Sequence, residues 1–309
     1  MEVLHGLGRL PLEGVAAVTI GFFDGVHRGH QAVIDRAADA ARQRDLRAVA
    51  VTFDRHPREV LTPGNVPRLL TTLRRKAELI EELGIDTLLV LEFTEELSRW
   101  PAAAFAERIL VDGLHAAHAV VGSNFTFGHK AAGTLETLTD LGAVHGFTVE
   151  GVSLLRLDGK TVSSTSVREA VSEGDLVWPE RALGRRYLVE GTVVPGAGRG
   201  AGLGWPTANL RTPDAILLPG RGVYAGRAGA DGRWWPAAVN VGINPTFGAE
   251  PLHVEAHLIG YDGSLRGSVL TVEFWERLRD EVRFPSAQEL SRQIAEDVRR
   301  TADLVEATE

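Results

Sequence analysis

The chain has 309 residues, enough for two domains that each bury a core. Its net charge of 33 − 41 = −8, with no basic tract, argues against a generic nucleic-acid binder or an anionic-membrane binder. It has no cysteine, so disulfides, thiolate nucleophiles and zinc–thiolate sites are excluded and a reducing, cytoplasmic setting fits.

The first residues, Met1–Gly14, lack the basic start and apolar stretch of a signal peptide, and no apolar run approaches the roughly 18 residues of a membrane span. Val15–Ile20 is an apolar, β-branched run that reads as a strand. Gly21-Phe22-Phe23-Asp24-Gly25-Val26-His27-Arg28-Gly29-His30 follows as a glycine-bearing loop. Gln31–Arg44 then reads as a helix with Val33, Ile34, Ala37, Ala38 and Ala41 on one face. Strand, loop and helix in this order suit a phosphate, because free N–H groups and the positive end of the helix point at it. Two histidines three residues apart at the helix start face the same way. The loop is expected to bind a nucleoside triphosphate.

Alternation continues with strands at Arg47–Phe53, Thr87–Leu91, Ala119–Val121 and Thr148–Val152. The helices between them are Arg68–Leu83, capped by Thr71 or Thr72, then Pro101–Leu110 and Leu135–Val144. Ser164–Glu173 is a further helix, opened by Ser163, Ser164 or Thr165 and stopped by Gly174. Such alternation predicts a parallel sheet with helices on both faces. Gly159-Lys160-Thr161 imitates the end of a P-loop, but Leu154 stands where that pattern needs glycine, and Asp158-Gly159 predicts a hairpin turn instead.

After about Arg186 short extended runs take over: Tyr187–Val194, Val223–Arg227, Trp235–Val241, Leu252–Leu258 and Val269–Arg277, separated by turns such as Ala230-Asp231-Gly232 and Tyr261-Asp262-Gly263. They predict a small antiparallel β-barrel. Ser286–Val305 closes the chain as a helix with Leu290, Ile294 and Val298 on one face. The domain boundary falls near Leu176–Arg186, giving domains over 1–180 and 187–309. Gly196-Ala197-Gly198-Arg199-Gly200-Ala201 loosely matches a dinucleotide fingerprint, but Pro206 follows where that fingerprint needs a helix, so the run reads as a glycine-rich loop. Only Lys76, Lys130 and Lys160 are lysines, so cationic phosphate contacts fall mostly to arginine, histidine, helix termini or a metal.

His27 and His30 at a strand-to-helix turn suit adenylyl transfer, which needs no protein nucleophile. The acceptor phosphate attacks the α-phosphate of ATP and pyrophosphate leaves, so catalysis is positioning and charge neutralisation. Gly21–His30 resembles the nucleotide-binding motif of the bacterial bifunctional riboflavin kinase/FMN adenylyltransferases (FAD synthetases). Three later blocks resemble the same family in order and spacing: Thr52-Phe53-Asp54-Arg55-His56-Pro57-Arg58, Val121-Gly122-Ser123-Asn124-Phe125-Thr126-Phe127-Gly128 and Ser163-Ser164-Thr165-Ser166-Val167-Arg168. The family's usual residues differ at Arg55 (Pro), Asn124 (Asp) and Ala131 (Arg). In the second half Gly200–Asn209 resembles the riboflavin kinase motif, with Pro206-Thr207-Ala208-Asn209 intact and Ala201 in place of the usual Arg. Gly222–Gly226, Val239–Phe247, Val254–His257 and Arg279–Glu281 match as well, with Arg266 where Tyr is usual. The likeness runs from about Gly14 to Val298.

The resemblance implies a nucleotidyltransferase-like Rossmann domain followed by a small barrel with a C-terminal helix. It implies an enzyme that phosphorylates riboflavin to FMN in the barrel and adenylylates FMN to FAD in the first domain, using ATP and Mg²⁺. For adenylyl transfer it implies ATP held by Gly21, Phe23, Asp24, Gly25, His27, His30, Ser163, Ser164, Thr165 and Arg168. FMN would be held by His56, Pro57, Arg58, Asn124, Phe125 and Phe127, with Phe127 equally readable as core. For the kinase it implies ATP at Gly202, Gly204, Pro206, Thr207 and Asn209, with Mg²⁺ on Thr207 and Asn209. Glu255 would be the general base, with flavin at Asn240, Arg279 and Glu281, the last two equally readable as a surface ion pair. One rival reading is a single live activity, with Asn124, Ala131 or Ala201 marking the lost half; another is a non-catalytic flavin binder, and the intact His27, His30, Asn209 and Glu255 argue against that second one. No nucleic-acid or membrane partner is expected, and nothing in the sequence specifies an oligomeric state.

Overall fold

The computed structural model describes residues 1–196, 199–243 and 252–307, without the side chains of Arg199 and Ala201. They fall into two compact units, Met1–Ser164 and Thr165–Glu309.

The first unit is a six-stranded parallel sheet. Its strands are β1 (Glu2–His5), β2 (Ala16–Ile20), β3 (Arg47–Phe53), β4 (Thr87–Leu91), β5 (Ala116–Gly122) and β6 (Thr148–Val152), in the order β1-β4-β3-β2-β5-β6. The expected strands are all present. The edge strand β1 is additional: only Leu4 of its four residues is buried, so it carries no alternation for sequence reading to detect. The helices are α1 (Arg28–Arg44), α2 (Pro57–Leu61), α3 (Leu73–Glu81), α4 (Glu95–Ser98), α5 (Ala102–Phe105) and α6 (Leu135–His145). Helix α5 runs into a π-helical stretch, Ala106–Val111.

Both faces of the sheet are covered, which explains its nearly unbroken apolar strands. Val49, Val51, Leu89 and Leu91 face one core with Ile109, Leu110 and Leu138. The alternate residues Ala48, Ala50, Leu88 and Val90 face the other, with Ile34, Ala38 and Ala41 of α1 and Leu79 and Ile80 of α3. The small side chains on this second face let α1 lie close, and its expected apolar face is wholly buried. The order reverses between β2 and β5, so loops leaving their carboxyl ends diverge and open a crevice at the switch point. The Asp158-Gly159 hairpin joins β7 (Arg156–Leu157) to β8 (Lys160–Thr161), with both turn residues at positive φ (51° and 75°) as a two-residue primed turn requires.

Helix α7 (Ser164–Glu173) takes its first residue from the first unit and the rest from the second, which continues with α8 (Val177–Leu183). A closed antiparallel barrel follows: β9 (Tyr187–Val194), β10 (Ala208–Arg211), β11 (Gly222–Ala230), β12 (Arg233–Gly242), β13 (His253–Leu258) and β14 (Val269–Arg279), with the one-turn helix α9 (Arg199–Gly202) before β10. The expected strands are present, β11, β12 and β14 longer than expected. The Pro-Thr-Ala-Asn segment, where no strand was expected, enters β10, whose pairing with both β9 and β13 closes the barrel. The terminal helix α10 (Ala287–Glu306) is capped by Ser286, which accepts the Glu289 N–H. Its deepest positions are Asp297, Thr301 and Val305, whereas the expected stripe of Leu290, Ile294 and Val298 is only half-buried. The reason lies in the partner: Arg279 of β14 draws Asp297 inward.

Candidate active sites

In the first unit, three motifs gather at the carboxyl ends of β2, β3 and β5. The loop after β2 takes an unusual path, with Phe23, Gly25 and Val26 all at positive φ (53°, 79° and 38°). Backbone strain of this kind persists only where the surroundings hold it, and it clusters at functional sites. Asp24 supplies the hold. It is 1% exposed, and its carboxylate accepts the N–H groups of Leu70 (2.9 Å) and Thr71 (3.2 Å). Gly25 N–H donates to Thr71 Oγ1 at 3.1 Å. Asp24, expected at ATP, therefore anchors the loop from beneath.

His27 is the N-cap of α1. Its Nδ1 accepts the His30 N–H at 3.2 Å, which leaves the ring proton on Nε2 as a donor. The two imidazoles stack at 3.6 Å between centroids, and Phe23 meets His30 edge-on at 5.3 Å. The arrangement can present an imidazole N–H together with helix-start amides to an anion. Ser164 Oγ donates to the Asp24 carbonyl at 3.0 Å, tying the fourth motif to this loop, and Ser163 precedes it half-buried. Thr165 is exposed and Arg168 half-buried one turn further along α7.

After β3, His56 caps α2: its Nδ1 accepts the Arg58 N–H (3.1 Å), and Glu59 Oε1 accepts the His56 N–H (3.0 Å). Pro57 is the first helical residue, as helices tolerate, and Arg58 is exposed. Arg55, where the family has Pro, turns back onto Asp54 at 2.7 Å. Burial raises the Asp54 carboxyl, but the Arg55 guanidinium and the Phe93 N–H outweigh it and hold Asp54 below the usual range. After β5, Asn124 is exposed and Phe125 half-buried, stacked 5.4 Å from Phe127. Phe127 is 7% exposed and lies in the core against Phe105, so Phe125 is the ring left at the surface. Lys130 and Ala131 are exposed, at φ 54° and 56°.

In the second unit, register assembles the site. Arg279, Val223, Asn240, Glu255, Asn209 and Val194 are successive paired positions on β14, β11, β12, β13, β10 and β9. Directly opposed residues share a face. The adjoining row, Tyr224, Val239, Ala256 and Ala208, is buried inside the barrel. Four of the residues expected from sequence thus stand on the opposite, outward face. Glu255 Oε2 lies 3.5 Å from Thr207 Oγ1, and its Oε1 is 3.2 Å from His253 Nε2. Pro206 is fixed by its carbonyl, 2.8 Å from His257 Nδ1. Gly204 sits at φ 86°, which favours glycine, and Gly202 is exposed beside it. A Cβ at Gly196 would collide with the Asn209 amide, and one at Gly242 would collide with Glu281 Oε1.

Arg279 and Glu281 do not pair with each other: each has a different partner. Arg279 Nη2 is 2.8 Å from Oδ2 of Asp297, which is 2% exposed, and its Nη1 donates to the Asp280 carbonyl. Glu281 accepts from Arg221 at 2.7 Å. Asn244-Pro245-Thr246-Phe247, Ala197-Gly198 and the side chains of Arg199 and Ala201 lie outside the described residues.

Three further residues escaped sequence reading: Lys76, His253 and Asp297. Lys76 had a visible signal, being a lysine three and four positions before the buried Leu79 and Ile80 on one helix face. His253 had a weaker one, two residues before Glu255 and so on the same side of a strand.

As to a metal, no cluster of three or more His, Cys, Asp or Glu residues is placed to hold one among the described residues. Thr207, Asn209 and Glu255 offer a few hard oxygens instead. That fits Mg²⁺, which keeps its waters and shares phosphate oxygens rather than filling a protein cage.

A family model described as FAD synthetase matches residues 11–166, and one described as riboflavin kinase matches residues 183–305. A bifunctional riboflavin kinase/FMN adenylyltransferase from Pseudomonas fluorescens is 40% identical, aligned over 96% of each chain. The protein of that name from Bacillus subtilis is 34% identical over 91% of this chain and 90% of its own. The one from Escherichia coli K12 is 33% identical over 95% and 94%. A solved structure described as a macrolide-efflux protein from Streptococcus pneumoniae matches with a TM-score of 0.91 at 26% identity, covering 98% of this chain and 99% of that one. No helix among the described residues here is long and apolar enough to cross a membrane. Two catalytic models in succession on one chain, and relatives of the same two-part make-up over nearly its whole length, place this chain in the bifunctional riboflavin kinase/FMN adenylyltransferase family.

Proposed function

We propose that this chain carries out both ATP-dependent steps from riboflavin to FAD, in separate sites on its two units. What supports the reading most is that the Gly21–His30 loop, the His56-Pro57-Arg58 turn and Ser164 come together in the first unit, while the residues expected for the kinase all belong to the second.

In the first unit FMN is adenylylated. The triphosphate of ATP lies over Gly21, Phe23 and Gly25 at the start of α1, with His27 Nε2–H and His30 on its charge and Ser163, Ser164, Thr165 and Arg168 on the β- and γ-phosphates. Asp24 shapes that loop. His56, Pro57, Arg58, Asn124 and the half-buried ring of Phe125 hold FMN, whose phosphate attacks the α-phosphorus as pyrophosphate departs. The protein contributes orientation and a preorganised positive environment. Phe127 supports Phe125 from the core.

In the barrel riboflavin is phosphorylated. Gly202, Gly204, Pro206, Thr207 and Asn209 hold the ATP phosphates. Mg²⁺ on Thr207 and Asn209 would neutralise charge between the β- and γ-phosphates. Glu255 takes the proton of the riboflavin 5′-hydroxyl as that oxygen attacks the γ-phosphorus. Asn240 and Glu281 frame the flavin end, and Arg279 steadies that end through Asp297. The reaction is assigned to the cytoplasm, in keeping with the cysteine-free sequence. The net charge of −8 supports small molecules, rather than nucleic acid or membrane, as partners.

The test is to incubate the chain with riboflavin and MgATP and separate the flavins over time. FMN should appear first and FAD second. Glu255→Ala should abolish FMN formation but leave FMN-to-FAD conversion intact, and His27→Ala should do the reverse. A folded variant that loses both steps would refute the assignment to separate sites.

A further inference from the structure

One buried charge in the first unit has no part in the chemistry above. Lys76 of α3 is 3% exposed. Its Nζ donates to Thr52 Oγ1 at 3.3 Å and stands 4.2 Å from the centroid of the Phe22 ring. Thr52 Oγ1 in turn donates to the Phe22 carbonyl at 3.1 Å. The Phe22 ring meets His56 edge-on at 4.9 Å, and His56 caps α2. One ammonium therefore supports both the beginning of the loop after β2 and the His56-Pro57-Arg58 turn after β3.

The two carboxylates that face Lys76 are occupied by other groups. Asp24 receives the N–H groups of Leu70 and Thr71, and Asp54 receives Arg55 and the Phe93 N–H. Its helix neighbours Arg75 and Glu78 pair with each other. Among the described residues Lys76 forms no ion pair. A buried ammonium held by one hydroxyl and one aromatic face is costly, and an uncharged side chain of the same length would fill the space more cheaply. Charges kept under such conditions concentrate where they serve a reaction.

We propose that Lys76 is a positioning residue for adenylyl transfer: its ammonium holds the Phe22–His56 edge and sets a fixed positive charge behind the Gly21–His30 loop, where the phosphates of ATP and FMN meet. The proposal rests on reading that loop as the ATP site. The charge is also labile. Burial pulls the Lys76 ammonium down to about 8, against the opposing pull of Asp24 and Asp54.

The test uses full-length Lys76→Met and Lys76→Arg, with His27→Ala in parallel. FMN-to-FAD conversion, riboflavin phosphorylation and thermal unfolding are measured on each. Lys76→Met is expected to lose about tenfold or more in kcat/KM for FAD synthesis near pH 7, with the kinase rate unchanged and no loss of thermal stability. Lys76→Arg is expected to recover part of the rate. The wild-type rate should fall as pH rises through about 8, a fall that Lys76→Met lacks. The idea is overturned if Lys76→Met keeps the wild-type rate and pH profile, or if it melts earlier, fails to fold or loses both activities together, the signs of a structural role. If His27→Ala retains FAD synthesis, the reading of the loop fails instead; if His27→Ala is dead and Lys76→Met is normal, only the role given to Lys76 fails.

Discussion

A lysine ammonium boxed in by an aromatic ring and a single hydroxyl gives up its proton sooner than one in water. For Lys76, burial lowers the pKa from 10.5 to about 8, with Asp24 and Asp54 partly opposing. The folded state therefore holds fewer protons than the unfolded state between those two values. Stability rises with pH wherever the unfolded chain binds more protons, so this group's penalty is full below about pH 8 and is relieved as pH climbs toward 10.5. A shift of this size corresponds to about 3 kcal/mol at its limit. Lys76→Met lacks the penalty at every pH. Its stability advantage over the wild type, measured by denaturant unfolding, should be largest near neutrality and shrink steadily as the buffer becomes alkaline. An advantage that is constant with pH would mean that folding leaves the Lys76 pKa where it stands in the unfolded chain. Asp24 and Lys76 share one lesson about sequence reading. The loop motif identified the right neighbourhood, but Asp24 bonds to Leu70 and Thr71, and Lys76 to Thr52, tens of residues away, so their roles depend on pairings that local pattern does not carry.

Helix α10 is held against the barrel by one polar clamp as well as by apolar contact. Leu304 joins a small cluster with Val223, Ala225 and Leu278, while Arg279 meets Asp297 through both Nε and Nη2. Gln293 Nε2 also reaches Asp297, at 3.1 Å, so the buried carboxylate is well satisfied. Removing one partner strands the other in a dry site. Arg279→Ala should lower the stability of the second unit by about 3 kcal/mol or more. The pair Arg279→Met with Asp297→Leu replaces two charges by apolar bulk and should recover most of that loss. Thermal unfolding of the single and double variants checks both, and additive losses would show that the clamp contributes no coupling. Elements with a clear period were legible in advance. Strands β3, β4, β6 and β9 have their expected limits, because alternating or continuous apolar runs bounded by turn residues leave little choice. Strand β10 was not, because Pro206 and Asn209 argue for a loop locally while pairing with β9 and β13 decides otherwise. The face of α10 was misjudged for the same reason: hydrophobicity pointed to Leu290 and Ile294, and an ion pair from β14 turned Asp297 inward.

At the scale of the whole chain, the FAD synthetase and riboflavin kinase family models match successive stretches, residues 11–166 and 183–305, and the product of one reaction is the substrate of the other. Sequence patterns distinguish the units because their physics differs: a parallel sheet buried on both faces needs unbroken apolar strands, whereas a small barrel needs alternation and frequent turns. That division makes a prediction about the intermediate. On the proposed assignment Glu255→Ala should make no FMN and His27→Ala no FAD, so neither alone should convert riboflavin to FAD. If each unit works independently, FMN leaves one chain and is captured by another. An equal mixture of the two variants with riboflavin and MgATP should then accumulate FMN and, after a lag, form FAD. The lag should lengthen on dilution, because free FMN must reach a level that fills the second chain's site. Wild-type protein at the same total concentration sets the reference, and the flavins are separated at intervals. Should the mixture gather FMN without ever forming FAD, while each variant retains its own single step, FMN passes only within a chain and the units are functionally coupled.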